Sequence, residues 1–287
     1  MSLTVAVLGA GAMGSAVAQR LVNHGCKVLT HLEGRSAVTM ARARAAGMIA
    51  ASLQELVEAQ FILSIVPPGV AGAAAEQLLP VLVTAARKPL YVDCNAVSPR
   101  TVVEIGKIIA RSGCGFVDAG IIGGPPPVEK GSSSVDTIFY ASGAAAPRFA
   151  ELIRYGLNIR VMQGEIGCAS AAKMAFAGVT KGVTAIGTAM LLAAARADVI
   201  EPLGRELARS RPDLLNWFNR QIPGMLPKAY RWVAEMEEIA EFSGDEATRQ
   251  MYLGIARLYD KIACDLNGDG GEVAILKAAL SNIAAQN

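Results

Sequence analysis

Three groups of residues in this chain have types and spacing suited to chemistry. The first is Gly9-Ala10-Gly11-Ala12-Met13-Gly14, a GxGxxG loop. Between a strand and a helix, such a loop leaves the N–H groups of the first helical turn, here at Ala12 and Met13, pointing outward. Those groups and the helix dipole bind a pyrophosphate. Gly9 permits the tight turn, Gly11 lets a phosphate approach the backbone, and Gly14 lets helix pack on strand. The bland alternative is a glycine-rich turn that binds nothing. The second group centres on Glu33, nineteen residues after Gly14, close to the spacing of about 20 residues at which an acidic side chain bonds a ribose 2′-OH. The third is Lys173, inside the nearly apolar run Ala169-Ser-Ala-Ala-Lys-Met-Ala-Phe176. Desolvating an ammonium is costly. Lys173 therefore either snorkels to the helix surface or faces a cleft where desolvation tunes it as a general base. Helical periodicity puts Phe176, Ala177 and Thr180 on its face.

These residues need a scaffold, and the first 160 or so supply one by alternating strand and helix patterns. Strands are expected at 4–8, 27–30, 61–65, 90–93 and 115–118, with 135–142 and 158–162 extending the sheet. Helices are expected around 36–46, 52–58, 70–82, 99–112 and 146–155. That alternation means βαβ units and a mostly parallel, doubly wound sheet. From Ile166 to Val199 the chain is alanine-rich without proline, which predicts one very long helix. The rest is helical with interruptions at Pro202, Pro212, Pro223 and Pro227. The expected organisation is an α/β Rossmann domain over 1–163 that binds a dinucleotide, followed by an all-α domain over 164–287 for substrate and dimerisation. A helix so apolar around its circumference must be wrapped by other helices. A partner chain could supply that cover, and a homodimer is predicted.

Composition narrows the classes. The formal charge is +2, with 18% charged residues. No basic patch or acidic tail suggests nucleic acid or membrane as a partner. The five cysteines are scattered without a CxxC pair, which predicts reduced thiols in the cytoplasm. His24 and His31 lack helical HxxxH neighbours, so no metal site is expected. The apolar start, Val5 to Ala18, lacks the basic region of a secretory signal. The longest uncharged apolar stretch, Gly182 to Ala195, has fourteen residues, short of the roughly 20 that span a bilayer.

Taken in order, several motifs resemble the β-hydroxyacid dehydrogenase family, which includes the 6-phosphogluconate dehydrogenases. They are the glycine loop, Val66-Pro67-Pro68, Asp93-Cys94-Asn95 before Ser98-Pro99, Asp118-Ala119-Gly120-Ile121-Ile122-Gly123-Gly124, and Gly167 followed six residues later by Lys173. The resemblance spans essentially the whole chain. It implies a nicotinamide-dependent oxidoreductase acting on a small hydroxy acid, as a dimer or larger assembly. It implies that Val66 and Pro67 contact the cofactor and that Lys173 is the catalytic lysine. Asn95 would orient substrate and lysine, although an ordinary Asx turn explains it too. The backbone N–H groups of Gly123 and Gly124 would hold the substrate carboxylate, unless they only open the Pro125-Pro126-Pro127 run. Arg35 and Ser36 look like the family's Arg-Ser/Thr pair for the 2′-phosphate of NADP, since a guanidinium forks onto a phosphate. Glu33 points the other way, toward NAD, and both could simply be a solvated pair. NADP is the expected cofactor, with NAD possible.

Departures from the resemblance shape the substrate. Ile122 stands where a serine usually precedes the paired glycines, and Gly120 where proline is usual. Phe176 and Ala177 replace the asparagine or histidine–asparagine pair after the lysine, so Phe176 is expected to line a less polar pocket. A small, relatively apolar 3-hydroxy acid fits better than 6-phosphogluconate. An NADPH-dependent imine reductase and a non-catalytic dinucleotide sensor are the competing readings. The retained lysine argues against the first, and Lys173 with Asn95 against the second. Arg231, Trp232 and Glu235 could line the pocket or pack helices.

Overall fold

The computed structural model describes residues 3–126 and 137–284. Pro127 and the expected strand start at Val135 lie outside these residues. The chain divides into two compact units, Met1–Met174 and Ala175–Asn287. The expected boundary lay ahead of the long helix; the division falls inside it.

The first unit holds strands β1 (Thr4–Leu8), β2 (Lys27–Thr30), β3 (Ile49–Ala50), β4 (Phe61–Ser64), β5 (Leu90–Asp93), β6 (Gly115–Ile122), β7 (Ile138–Ser142) and β8 (Asn158–Val161). Helices α1 (Ala12–Asn23), α2 (Ala37–Ala45), α3 (Leu53–Leu56), α4 (Ala71–Thr84), α5 (Pro99–Ala110) and α6 (Ala146–Phe149) intervene. The strands form one sheet in the order β3-β2-β1-β4-β5-β6-β7-β8. All pairs are parallel except β6–β7, so the expected mostly parallel, doubly wound sheet is present.

Physical causes for these elements are local. The central strands are nearly continuous apolar runs, as a sheet covered on both faces requires. Val5 and Val7 enter one core and Ala6 and Leu8 the other, because successive side chains leave opposite faces. Ser36 caps α2 by accepting from Thr39 N, Ser52 and Glu55 close a capping box on α3, and Ser98 caps α5 ahead of Pro99. The predicted helix over 146–155 splits into α6 and a 3₁₀ segment, Ala150–Tyr155, ended by left-handed Gly156. β3 escaped the sequence reading because two residues carry no period.

Helix α7 (Cys168–Arg196) begins in the first unit and continues in the second, followed by α8 (Ile200–Ser210), α9 (Pro212–Met225), α10 (Ala229–Phe242), α11 (Glu246–Asn267) and α12 (Gly271–Ala284). Pro212 opens α9, Pro223 lies in its last turn, and Pro227 sits in the 3₁₀ turn Leu226–Lys228. By length and composition α7 could cross a bilayer, yet half of its apolar window is buried inside the protein, as in a core helix. In the second unit the buried Tyr259 meets Trp232 edge-on at 5.1 Å and donates to Lys181 O at 2.6 Å. Lys181 pairs with Glu235 and lies 4.8 Å from the Trp232 ring. Trp232 and Glu235 thus tie α10 to α7.

Candidate active site

Strand β1 runs toward α1 and β2 on one side and has β4 on the other, so the strand order reverses at its carboxyl end. Crevices of this kind bind ligands. The glycine loop sits there. Gly9 has φ +90°, and a Cβ on it would lie 2.4 Å from Ile65 O. A Cβ on Gly14 would lie 1.9 Å from Gly9 O, so only glycine lets α1 fold back onto the strand end. Gly11 has nothing within 4 Å of a built Cβ. Its surroundings are open, which is the geometry a phosphate needs. No side chain caps α1, so the N–H groups of its first turn, at Ala12 and Met13, face outward without intrahelical acceptors. A dinucleotide pyrophosphate fits these residues.

Past β2, Glu33 turns to His31, with Oε2 3.7 Å from Nε2 and the carboxylate side chain 88% exposed. The His31 ring is held through Nδ1 at 3.1 Å from Ala51 O. Arg35 and Ser36 are exposed. Ser36 Oγ accepts from Thr39 N at 3.3 Å, which still allows its hydroxyl to donate. Arg42, unremarked in the sequence, reaches Ala10 O at 3.5 Å.

The loop after β4 carries Val66 and Pro67. Val66 N donates to Asn95 Oδ1 at 2.7 Å. Asn95 is buried beyond β5, and its amide is spent inside the unit, donating to Ser64 Oγ at 3.0 Å and Asp93 Oδ2 at 2.8 Å. The expected bonds from Asn95 to substrate and lysine would need those same hydrogens. In this geometry Asn95 is a clasp that joins the ends of β4 and β5 and fixes Val66. Asp93 Oδ1 also accepts from Asn95 N at 3.0 Å. Burial pushes the Asp93 carboxyl up to about 7, against the bonds from Asn95 and with the help of the neighbouring Asp118 charge. Burial likewise drives the Cys94 thiol up.

Asp93 starts a polar row that sequence reasoning missed. Ser64, Asp93, Asp118 and Ser142 stand in register across β4, β5, β6 and β7, and all are buried. The available signal was an acidic residue within or ending each of two apolar strands, where an unpaired charge is costly. Asp118 accepts from the start of α7, which carries Lys173. Two residues along β6, a Cβ on Gly120 would lie 2.7 Å from Ala169 O and 2.9 Å from Lys173 Cβ. Lys173 is half-buried, and its helix lies against β6 just before Gly123 and Gly124. Those two glycines are exposed, Gly123 with φ +112°, and Gly124 O accepts from Thr137 Oγ1.

The first unit therefore assembles the glycine loop, Val66, Asn95, Asp93, Asp118, Gly120 and Lys173 as one connected series. Phe176 belongs to the second unit and is 48% exposed. It starts an apolar stripe on α7 with Val179, Ile186 and Met190, which are 66%, 59% and 56% exposed. Among the described residues no cluster of three or more His, Cys, Asp or Glu is arranged for a metal.

Known proteins share this architecture. Residues 4–145 match the NAD binding domain of 6-phosphogluconate dehydrogenase, and residues 194–262 match a domain of unknown function, DUF1932. A 3-hydroxyisobutyrate dehydrogenase of Pseudomonas aeruginosa is 27% identical over 237 residues, covering 78% of this chain and 76% of that one. A solved structure of a conserved protein, MTH1747, described as structurally similar to 3-hydroxyacid dehydrogenases, is 34% identical with TM-score 0.68, covering 91% of this chain and 96% of the other. An imine reductase of Myxococcus stipitatus in complex with NADP+ shares the fold at 18% identity and TM-score 0.58, covering 96% of this chain and 99% of its own.

Proposed function

Because this chain belongs to the β-hydroxyacid dehydrogenase family and is a nicotinamide-dinucleotide-dependent oxidoreductase by class, we propose that it oxidises a small, relatively apolar 3-hydroxy acid with NADP, using Lys173 for proton transfer. The observation that carries this reading is the packing of Lys173 against Gly120, which sets a lysine beside the strand leading into Gly123 and Gly124.

The nicotinamide supplies hydride transfer when bound. The protein orients and moves a proton. Lys173 Nζ, neutral, takes the proton from the substrate hydroxyl as oxidation proceeds, and as ammonium returns it in reduction. The N–H groups of Gly123 and Gly124 face the substrate carboxylate. The loop at Val66 and Pro67, clasped by Asn95, backs the nicotinamide end, and the N–H groups after Gly11 take the pyrophosphate.

NADP is favoured over NAD by the far end of the site. Glu33 Oε2 lies 3.7 Å from His31 Nε2, and Arg35 with Ser36 stands exposed at the start of α2. A 2′-phosphate there meets a guanidinium, a hydroxyl and a helix N-terminus. The apolar stripe on α7 supports a homodimer, and five free cysteines support a reducing, cytoplasmic setting.

The test is Lys173→Ala. NADPH binding should stay nearly intact while turnover of 3-hydroxyisobutyrate, or of the best acid from a panel, falls by about three orders of magnitude. Unchanged turnover in that variant would remove the lysine from the reaction.

A further inference from the structure

Asp118 has no part in the chemistry just described, yet its buried carboxylate accepts four hydrogen bonds. The donors are Gly167 N at 2.9 Å, Ser170 N at 3.0 Å, Ser170 Oγ at 2.7 Å and Ser142 Oγ at 3.1 Å. Three of the four come from the start of α7. A helix leaves its first N–H groups without intrahelical acceptors, and those are usually met by a side chain just ahead of the helix. Here that place is held by Gly167, which has no side chain. A carboxylate from β6 takes over the task, and Ser142 Oγ on β7 accepts from Ala169 N at 3.0 Å.

The second grip on the same helix is Gly120, two residues farther along β6 and on the same face, about 7 Å away. It admits Ala169 O and Lys173 Cβ. A helix held at one point can still slide and turn about its axis, where one residue of slippage rotates a side chain by about 100°. Two points on one strand remove that freedom for the turn between them, and that turn carries Lys173.

We propose that Asp118 is a positioning residue for Lys173: by capping α7 from β6, with Ser142 as its second, it sets the height and rotation of the turn from which the lysine reaches the substrate. This rests on the reading of Lys173 as the proton-transfer group. Misplacing a reacting group by about 1 Å costs up to about 100-fold in rate. A cap that served stability alone would leave the lysine's environment unchanged in a folded variant.

The experiment uses Asp118→Asn, Ser142→Ala and Ser142→Thr, with Lys173→Ala as reference. Asn removes one acceptor oxygen from a crowded set, Ala removes a hydroxyl that both donates and accepts, and Thr restores it. Three quantities are measured: kcat and KM with 3-hydroxyisobutyrate as probe, NADPH affinity by fluorescence, and acetylation of Lys173 by acetic anhydride across pH, followed by mass spectrometry. Asp118→Asn and Ser142→Ala should lower kcat about tenfold or more, leave NADPH affinity within about twofold, and move the pH of half-acetylation by about half a unit or more. Ser142→Thr should restore the wild-type values. Wild-type acetylation and kcat in folded Asp118→Asn would overturn the proposal, as would a kcat loss matched by an equal loss of NADPH affinity with acetylation unmoved. If Asp118→Asn does not fold, the two Ser142 variants decide. Full turnover in Lys173→Ala overturns the proposed function instead, and the acetylation profile then still decides whether Asp118 places the lysine.

Discussion

Gly120 and Lys173 are in contact across the β6–α7 interface, so close that a Cβ on residue 120 would lie 2.9 Å from Lys173 Cβ. This explains one departure from the family resemblance. With a glycine at position 120, β6 and α7 approach more closely than a proline ring there would allow. A larger residue there would meet the backbone of Ala169 as well as Lys173 Cβ.

Gly120→Ala should cost about 1–3 kcal/mol of stability through overpacking and, by pushing α7 outward, lower kcat by about tenfold or more. Thermal melting and steady-state kinetics on the same preparation check both. A variant with normal kcat would show that the close contact is irrelevant to turnover.

Cofactor choice should respond to the loop after β2. Arg35→Ala should weaken NADP by about tenfold or more while leaving NAD nearly unchanged. His31→Ala frees Glu33 to accept from a ribose hydroxyl, so NAD affinity should improve relative to NADP. The Glu33 carboxylate is itself solvent-exposed, which limits the shift to about fivefold. Titration with both dinucleotides measures the ratios, and equal losses for both in Arg35→Ala would end its assignment to the 2′-phosphate.

Asp93 predicts a pH dependence of stability. Burial raises its carboxyl from 3.8 to about 7, so between those values the folded state holds a proton that the unfolded state has released. Stability from this group is then fully present below about pH 4, falls as pH rises, and is lost by about pH 7. The full difference is on the order of 4 kcal/mol. Asp93→Asn should flatten that slope in urea unfolding followed from pH 4.5 to 7.5. Parallel slopes for variant and wild type would show that Asp93 titrates normally.

Along α7, Val179 and Ile186 are exposed apolar residues on one stripe. Val179→Asp with Ile186→Asp should convert a dimer to a monomer in light scattering without loss of helicity, because charges cannot be buried unpaired at an interface. A native mass that does not change would place any dimer contact elsewhere.

How much was legible without coordinates depends on the range of the interaction. The glycine loop, the strand runs at 4–8, 27–30 and 90–93, and the long helix follow from neighbours within a few residues, so spacing and period were enough to find them. The two carboxylates Asp93 and Asp118 were visible as letters but not as a pair, because their relation comes from the register β4–β5–β6–β7 and that register joins residues far apart in the chain. Asn95 shows the same limit from the other side. Its amide could be recognised as a hydrogen-bonding group, but only the folded ends of β4 and β5 decide that its hydrogens go to Ser64 and Asp93.

By itself, then, the sequence determined the parallel α/β scaffold, the loop for a dinucleotide and the presence of one lysine in an apolar helix. Tertiary structure decided what those parts can reach. Strand order placed the loop in the crevice, Glu33 came to lie beside His31 with Arg35 and Ser36 exposed, and Asp118 and Gly120 met the first turns of the helix that carries Lys173. Local periodicity is written in short stretches of chain, whereas hydrogen-bond partners and close contacts arise only when distant segments share a face.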